Sequence, residues 1–360
     1  MGRGLMNVEI VPFDPKTASR AEWARFHTYR RLRHQETDAG DPDWDDATVE
    51  TWLIRGQPHW ERASYAVLEP GGSDVQIGEV SCQASLPGSP PHEMNKHMIM
   101  VGAELLRPFR RRGIGRAMLA HGAGLAEARG RSVVESWAEE EDGKAVAAAI
   151  GAKVVQHRFE NRLALERVDW AMVERWVAEG PARSPSSTFH WFRDAVPEEI
   201  IEEYTRAFTE VFNRQPMGEG SFKGIVVTPE VFRDRAALNA DVHGTWLGAY
   251  TREPDGEISG LTETFYVPDQ PTFLGQGLTG VRSRHLRRGL GKWLKAAMLL
   301  RVREEFPEVR IVRTGNATEN AAMLSINNRL GFRPHKNPVV VEMTVEALRA
   351  HLGDPAAGKP

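Results

Sequence analysis

Two stretches of this chain gather cations and glycines in a pattern suited to binding anions: RPFRRRGIGRAMLAHGAGLA, residues 107–126, and RHLRRGLGKWLKAAMLL, residues 284–300. Each reads as the opening of an amphipathic helix. The first turn of a helix presents N–H groups with no intrahelical acceptor, and the macrodipole adds partial positive charge there. Glycines let a ligand approach the backbone, and flanking arginines add charge, so the element suits a pyrophosphate. The residues are Arg107, Arg110, Arg111, Arg112, Gly113, Ile114, Gly115 and Arg116 in the first copy. In the second they are Arg287, Arg288, Gly289, Leu290, Gly291 and Lys292. Taken alone, either copy also reads as a solvated basic helix start; two copies in corresponding places favour the cradle. Neither copy is a Gly-x-x-x-x-Gly-Lys-Ser/Thr loop or a dinucleotide-binding Gly-x-Gly-x-x-Gly.

Gly113 and Gly289 correspond, an offset of 289 − 113 = 176 residues, and the flanking segments repeat with them. Residues 7–33 read as a strand and a helix opening near Thr17 and Ser19; residues 188–212 repeat this, with Pro197 at a helix start. A second short helix follows in each half, at 46–56 and 228–238. Three strands come next, at 63–69, 76–86 and 97–106 in one half and 245–253, 257–267 and 273–281 in the other. Beyond the glycine element each half continues as helix, strand, helix and terminal strand. The expected boundaries are a first domain at 1–168 and a connecting helix with an exposed linker at 169–187. A second domain at 188–352 and a disordered tail at 353–360 complete the chain.

A length of 360 residues exceeds one ordinary core and agrees with two domains. The composition, 41% hydrophobic and 26% charged, is globular, without an apolar run long enough to span a bilayer. No apolar signal-peptide segment opens the chain, and Met6 departs from the myristoylation pattern. Cys82 is the sole cysteine, which excludes an internal disulfide and fits a reducing cytoplasm; it reads as a small buried strand residue. A net charge of −3 argues against nucleic-acid binding through the arginine runs. No His/Cys/Asp cluster has metal-ligand spacing, so no metal is expected.

On these motifs the sequence resembles the GNAT superfamily of acyl-CoA-dependent N-acetyltransferases. The signature Arg/Gln-x-x-Gly-x-Gly/Ala is complete at Arg110, Gly113 and Gly115. In the second half Leu286 stands at its first position, before Gly289 and Gly291. The stretches GQGLTGVRSRHLRRGLGKWLKAAML and IVRTGNATENAAMLSINNRLGFRP look like a group of tandem, mainly actinobacterial acetyltransferases that share their architecture with mycothiol synthase. The resemblance implies an α/β (α+β) chain of two tandem GNAT domains, each a mixed, mostly antiparallel central sheet with flanking helices. It implies acetyl-CoA as cofactor, its pyrophosphate on the cradle and its pantetheine arm beside the fourth strand. Thr279, Val281 and Ser283 would flank that arm in the second domain, and Leu105, Leu106 and Arg107 in the first. Asn316 and Asn320 would bond the pantetheine amides, or serve as helix caps. In the first half an acidic run replaces these asparagines, so that domain either binds coenzyme A or keeps the cradle without turnover.

The reaction implied is attack of a primary amine, on a small molecule or a peptide, at the acetyl thioester within a ternary complex. The tyrosine that many members place four residues before the glycine of LGF is Asn327 here, and Ala147 in the first half. Glu263 is therefore the expected base and Tyr266 the expected acid, on opposite faces of one strand; Gln276 lies nearby, and His285 is a phosphate neighbour or surface residue. The acceptor pocket is expected around NRQPMGEG and TPEVFRD. The alternative is a non-catalytic acyl-CoA sensor or partner-binding protein. A monomer or homodimer, away from membranes, is expected in either case.

Overall fold

The computed structural model describes residues 8–71 and 74–353. In chain order the first elements are β1 (Glu9–Phe13), α1 (Arg20–Thr37), α2 (Asp46–Arg55), β2 (Trp60–Leu68), β3 (Gln76–Ser85), α3 (His92–Asn95) and β4 (Met98–Leu105). There follow α4 (Ile114–Ala128), β5 (Val133–Ala138), α5 (Glu141–Ala149), β6 (Lys153–Ala164), α6 (Trp170–Arg183) and β7 (Thr188–Arg193). Next are α7 (Ile201–Asn213), α8 (Pro229–Asp241), β8 (Thr245–Arg252), β9 (Ile258–Tyr266) and β10 (Phe273–Val281). Last come α9 (Leu290–Glu305), β11 (Ile311–Ala317), α10 (Ala321–Leu330), β12 (Arg333–Lys336), β13 (Val339–Thr344) and α11 (Val345–Leu352).

The chain divides into two compact units: residues 1–155, 219–222 and 339–360, and residues 156–218 and 223–338. In the first, the sheet order is β1-β2-β3-β4-β5-β13; in the second it is β7-β8-β9-β10-β11-β6, with β12 also on β6. Each sheet is antiparallel except for one parallel pair, β4–β5 and β10–β11 respectively. The mixed, mostly antiparallel sheets expected from sequence are therefore present twice.

The units are not the two continuous halves of the chain. The strand expected to close the first half, β6, pairs with β11 in the second unit from Ile311↔Ala164 to Ala317↔Arg158. The strand that follows α10 and β12, β13, pairs with β5 in the first unit, from Val339↔Ala138 to Thr344↔Val133. Buried contacts decide the matter: Val339 and Val341 pack with Ala138 and Ala147, while Leu163 packs with Val312, Leu330 and Phe332. The expected connecting helix is present as α6, and in the segment after it Pro185 and Ser186 are exposed while two serines are held. Ser184 is fully buried and donates from Oγ to the Arg288 carbonyl (2.9 Å), and Ser187 is buried against Glu253 (2.6 Å). Residues 354–360, most of the expected tail, lie outside the described residues.

Local sequence explains the elements that matter for the site. Ser19 and Glu22 form the capping box that opens α1. Helix α7 buries Ile201, Tyr204, Thr205, Ala207, Phe208 and Val211, one stripe at three- and four-residue spacing. That stripe packs with Phe232, Trp246 and Leu261 on one face of the second sheet. On the other face α9 sinks Leu294, Met298, Leu299 and Val302 against Leu274 and Val312. Each such large apolar side chain contributes about 1.5–3 kcal/mol on full burial, which fixes α9 to the sheet and its N-terminus at the end of β10.

Candidate active site

In the second unit, β10 and β11 pair only from Phe273↔Ile311 to Gly275↔Arg313 and then part. At that point β10 carries one extra residue: between Gln276 and Thr279 its register against β9 shifts, so that three steps on β10 match two on β9. A bulge of this kind bends the strand and turns its edge. A cleft of about 360 Å³ opens beside it. Thr279, Gly280 and Val281 of β10 line one wall, and Leu286, Arg287, Gly289, Leu290, Gly291 and Lys292 line the end. Asn320, Met323 and Ile326 of α10 form another side, with Val211, Arg214, Gln215 and Pro216 opposite.

Gly289 sits at φ 85° and Arg287 at φ 64°, a tight left-handed turn repeated in the first unit by Gly113 at φ 85° and Arg111 at φ 62°. Glycine enters this region without the Cβ clash that makes it costly for other residues. No side chain caps α9 at Gly289; of its first turn, Leu290, Gly291 and Lys292 line the cleft, and the Lys292 N–H donates to the Gly289 carbonyl (3.1 Å). Around them Arg183, Arg214, Arg287 and Lys292 line the cleft, and among the described residues of the lining there is no carboxylate. Burial pushes the Lys292 ammonium below its ordinary range, and Arg329 and Arg183 push it further. Cations crowded in this way suit a polyanion.

Arg288, counted with the cradle on sequence, turns away: it donates to Ser187 (2.8 Å), Ser186 (3.0 Å) and Glu253 (3.1 Å). Hydrogen bonds from Ser187, Ser259 and Arg288 outweigh the burial of the Glu253 carboxyl and hold it at about 2. His285 lines the cleft with its ring tied to Glu257 (2.8 Å). The Ser283 N–H donates to Glu210 (3.1 Å), behind the arm's expected path. Asn320 lines the cleft and also caps α10, accepting from the Met323 N–H (3.3 Å). Asn316 does not reach the cleft. Its Oδ1 accepts from Asn327 (2.8 Å) and Asn161 (3.3 Å) in a buried amide cluster.

Neither expected acid–base residue lines the cleft. Glu263 is 3% exposed and both its oxygens accept from Arg235, at 3.1 and 3.3 Å. Arg235 in turn stands 5.1–5.6 Å from the centres of Phe208, Phe232, Trp246 and Phe265. Burial raises the Glu263 carboxyl above its ordinary range, opposed by Arg235 and by the N–H of Leu278. Leu278 lies in the bulge, so the carboxylate braces the turn of β10 from behind. Tyr266, on the opposite face as its odd spacing requires, stacks on Phe306 (4.5 Å between ring centres). Gln276 is buried, with Nε2 donating to the Glu263 carbonyl (2.6 Å). Sequence reasoning passed over Arg183 and Arg235; NRQPMGEG pointed to Arg214, Gln215 and Pro216.

The first unit keeps the turn but not the surroundings. β3 and β4 pair without a register shift from Gly78↔Leu105 to Gln83↔Met100, so β4 has no bulge within that run. Two of its cradle arginines are engaged by carboxylates. Arg110 donates to Glu140 (2.8 Å), to Asp142 (2.9 Å) and to the Leu105 carbonyl (3.1 Å). Arg107 donates to Glu140 (2.9 Å), and its backbone N–H to Glu36 (2.8 Å). Arg112 lies over Phe109, Arg116 bonds the Leu352 carbonyl, and Leu106 and Ile114 are buried. Against the effect of burial, Arg110, Arg107 and Arg33 hold the Glu140 carboxyl at about 2. The acidic run that replaces the asparagines thus supplies counterions to Arg107 and Arg110.

Neither a protein-family model nor a curated protein matches the sequence. Solved structures do match. A tandem GNAT protein from the clavulanic acid biosynthesis pathway superposes with a TM-score of 0.72 at 21% identity, covering 94% of this chain and 99% of that one. The fold is that of a tandem GNAT protein. A GCN5-related N-acetyltransferase from Sphaerobacter thermophilus matches at TM-score 0.62 and 15% identity, over 94% and 96% of the two chains. A Saccharomyces cerevisiae N-myristoyltransferase, solved with bound myristoyl-CoA, matches at 0.56 and 11%, over 93% and 80%.

Proposed function

We propose that this chain is an acyl-CoA-dependent N-acetyltransferase whose second unit carries out the transfer. The observation that carries this reading is the cleft beside β10: an uncapped helix N-terminus, four lining cations without a lining carboxylate, and a bulged strand edge converge there. A nucleotide-bearing thioester has matching parts, a polyanionic end for the cradle and an amide-bearing arm for a strand edge. The coenzyme supplies the activated acyl group; the protein holds it and aligns the amine. First-turn N–H groups of α9, with Arg287, Arg183 and Lys292, hold the phosphates. Thr279 to Val281 hold the arm, and Asn320 offers its amide beside them. Arg214, Gln215 and Pro216 form the wall nearest the acceptor. Asn316, buried among other amides, supports α10 rather than the arm.

The first unit keeps its cradle without turnover, with Arg107 and Arg110 held by Glu140. Acetyl is the proposed acyl group, and a small-molecule or peptide amine the proposed acceptor, acting in the cytoplasm. Among the described residues no helix is long and apolar enough to cross a membrane, and no cluster of metal-ligand type is present. The second reading, a non-catalytic acyl-CoA sensor, is favoured by the positions of Glu263 and Tyr266 away from the cleft. Thiol release from acetyl-CoA with a panel of primary amines separates the two. Amine-dependent release above hydrolysis supports transfer; binding of coenzyme A without it supports the sensor.

A further inference from the structure

The repeat provides an internal control for the gap between the parted strands. In the first unit that gap is apolar, and a cavity of about 60 Å³ there is lined by Leu119, Val134 and Val341 among others. In the second unit Val134 has an apolar counterpart in Val312, but other positions around the gap turn polar. Leu119 becomes Lys295 by the 176-residue offset, and Ala138 becomes Asn316 by strand alignment. Ala147 becomes Asn327, each four residues before a helix-ending glycine. Val341 becomes Asn161, since Val341 pairs with Ser136 and Asn161 with the equivalent Thr314. Four apolar side chains have thus become one amine and three amides, all buried. Burying a lysine in place of a leucine has a free-energy cost, so packing alone does not explain the exchange.

Lys295 lies one helical turn beyond Gly291, which lines the cleft. It is 1% exposed, and its Nζ stands 5.1 Å from the centre of Phe332. No hydrogen bond or ion pair engages it among the described residues. Nearby charged groups on the packed elements are occupied elsewhere. Lys292 and, on α10, Arg329 lie over Trp176; Arg288 is held by Glu253. On α6 Glu174 pairs with Arg303 and Glu179 with Arg183. On β6 Arg162 pairs with Glu160, and on β11 Arg313 bonds Gln270. Two buried acceptors, Asn327 Oδ1 and Gln276 Oε1, have no donor. Burial alone lowers the Lys295 amine to about 7, where it can both give and take a proton near neutrality.

We propose that Lys295 is the proton donor on the sulfur side of the transfer, in the role that no tyrosine fills here. This rests on the acyltransferase reading of the same cleft. As the new C–N bond forms and the C–S bond breaks, the sulfur takes a proton from the Lys295 ammonium. The proton shed by the acceptor nitrogen restores it, so the step balances with no further reactant.

The test uses the full-length protein and coenzyme A itself, with thiolate absorbance near 240 nm as a readout independent of turnover. A free thiol ionises near about 8.5. With wild-type protein the bound thiol is expected to ionise about one pH unit lower, and with Lys295→Leu to return to the free value. Lys295→Arg is expected to keep the lowered ionisation, because it keeps the charge, yet to lose at least 100-fold in kcat at unchanged KM. Coenzyme A affinity is expected to stay within threefold in all three proteins, since the cradle is untouched. Identical thiol titrations in wild type and Lys295→Leu, with coenzyme A bound to both, overturn the inference and leave the acyltransferase reading standing. Failure of the wild type to bind coenzyme A overturns that reading and this inference with it.

Discussion

Replacing Arg235 by methionine tests whether Glu263 braces the bulge or serves as a base. At 3.1 Å and an effective dielectric of about 20, Coulomb attraction in the pair amounts to about 5 kcal/mol. Arg235 keeps 29% of its side chain exposed while Glu263 keeps 4%, so most of the cost of separation falls on the carboxylate. Removing one partner of a buried pair typically costs about 3–5 kcal/mol. About 3 kcal/mol is expected for Arg235→Met at pH 7, since the Leu278 N–H still bonds Glu263. Burial already raises this carboxyl above its unfolded value, and losing Arg235 raises it further. A group raised in this way favours folding below its unfolded value and loses that contribution as pH rises, so the deficit should shrink as pH falls from 7 towards 5. Urea unfolding of wild type, Arg235→Met, Glu263→Gln and the double variant measures it. A coupling above about 1.5 kcal/mol is expected, with the activity of each variant following its folded fraction. Additive losses below 1 kcal/mol, or a Glu263→Gln protein that is fully stable but has lost one limb of its pH–rate profile, would refute the bracing role.

Four further outcomes follow from the structure. A Cβ at Gly280 would overlap Val211 Cγ1, so Gly280→Val should cost several-fold in coenzyme A affinity and about 1–3 kcal/mol in stability, by calorimetry and urea unfolding. Lys295 is lowered from its ordinary 10.5 to about 7, so the unfolded chain binds the extra proton between those values and stability rises with pH across that window. Lys295→Leu should remove this slope and gain up to about 5 kcal/mol near pH 7, at about 1.36 kcal/mol per pH unit of difference; no gain in a urea titration would contradict the burial argument. Glu140 at about 2 stabilises the first unit at pH above the ordinary carboxylate value and loses that contribution as pH falls towards 2; Glu140→Gln should flatten acid unfolding there. Lys292, depressed by burial and by Arg329 and Arg183, should rise when coenzyme A binds, with uptake of protons measurable in buffers of different ionisation enthalpy.

Much of this was legible because it rests on local signals. The paired cradles follow from glycine and arginine spacing, and the left-handed turns at residues 111–113 and 287–289 reproduce it residue for residue. Strand and helix order also followed from periodicity and caps. The exchange of β6 and β13 did not, because each comes after a helix and pairs antiparallel in either unit, so that only long-range packing against Ala138 or Val312 distinguishes them. Glu263 and Tyr266 show the same limit: alternation placed them on opposite faces but could not tell a buried face from a cleft. Arg235, which pairs with Glu263, sits 28 residues away on α8 with no motif around it. The Glu140 cluster escaped notice because an acidic run looks alike whether it meets water or arginine.

Calorimetric titration with coenzyme A tests the central claim most directly. One equivalent should bind per chain, and the joint substitution Arg287→Glu and Lys292→Glu should weaken binding at least 50-fold. Arg107→Glu with Arg110→Glu should leave affinity for that equivalent unchanged. Binding that survives the first pair and disappears with the second would place the site in the first unit and contradict the account.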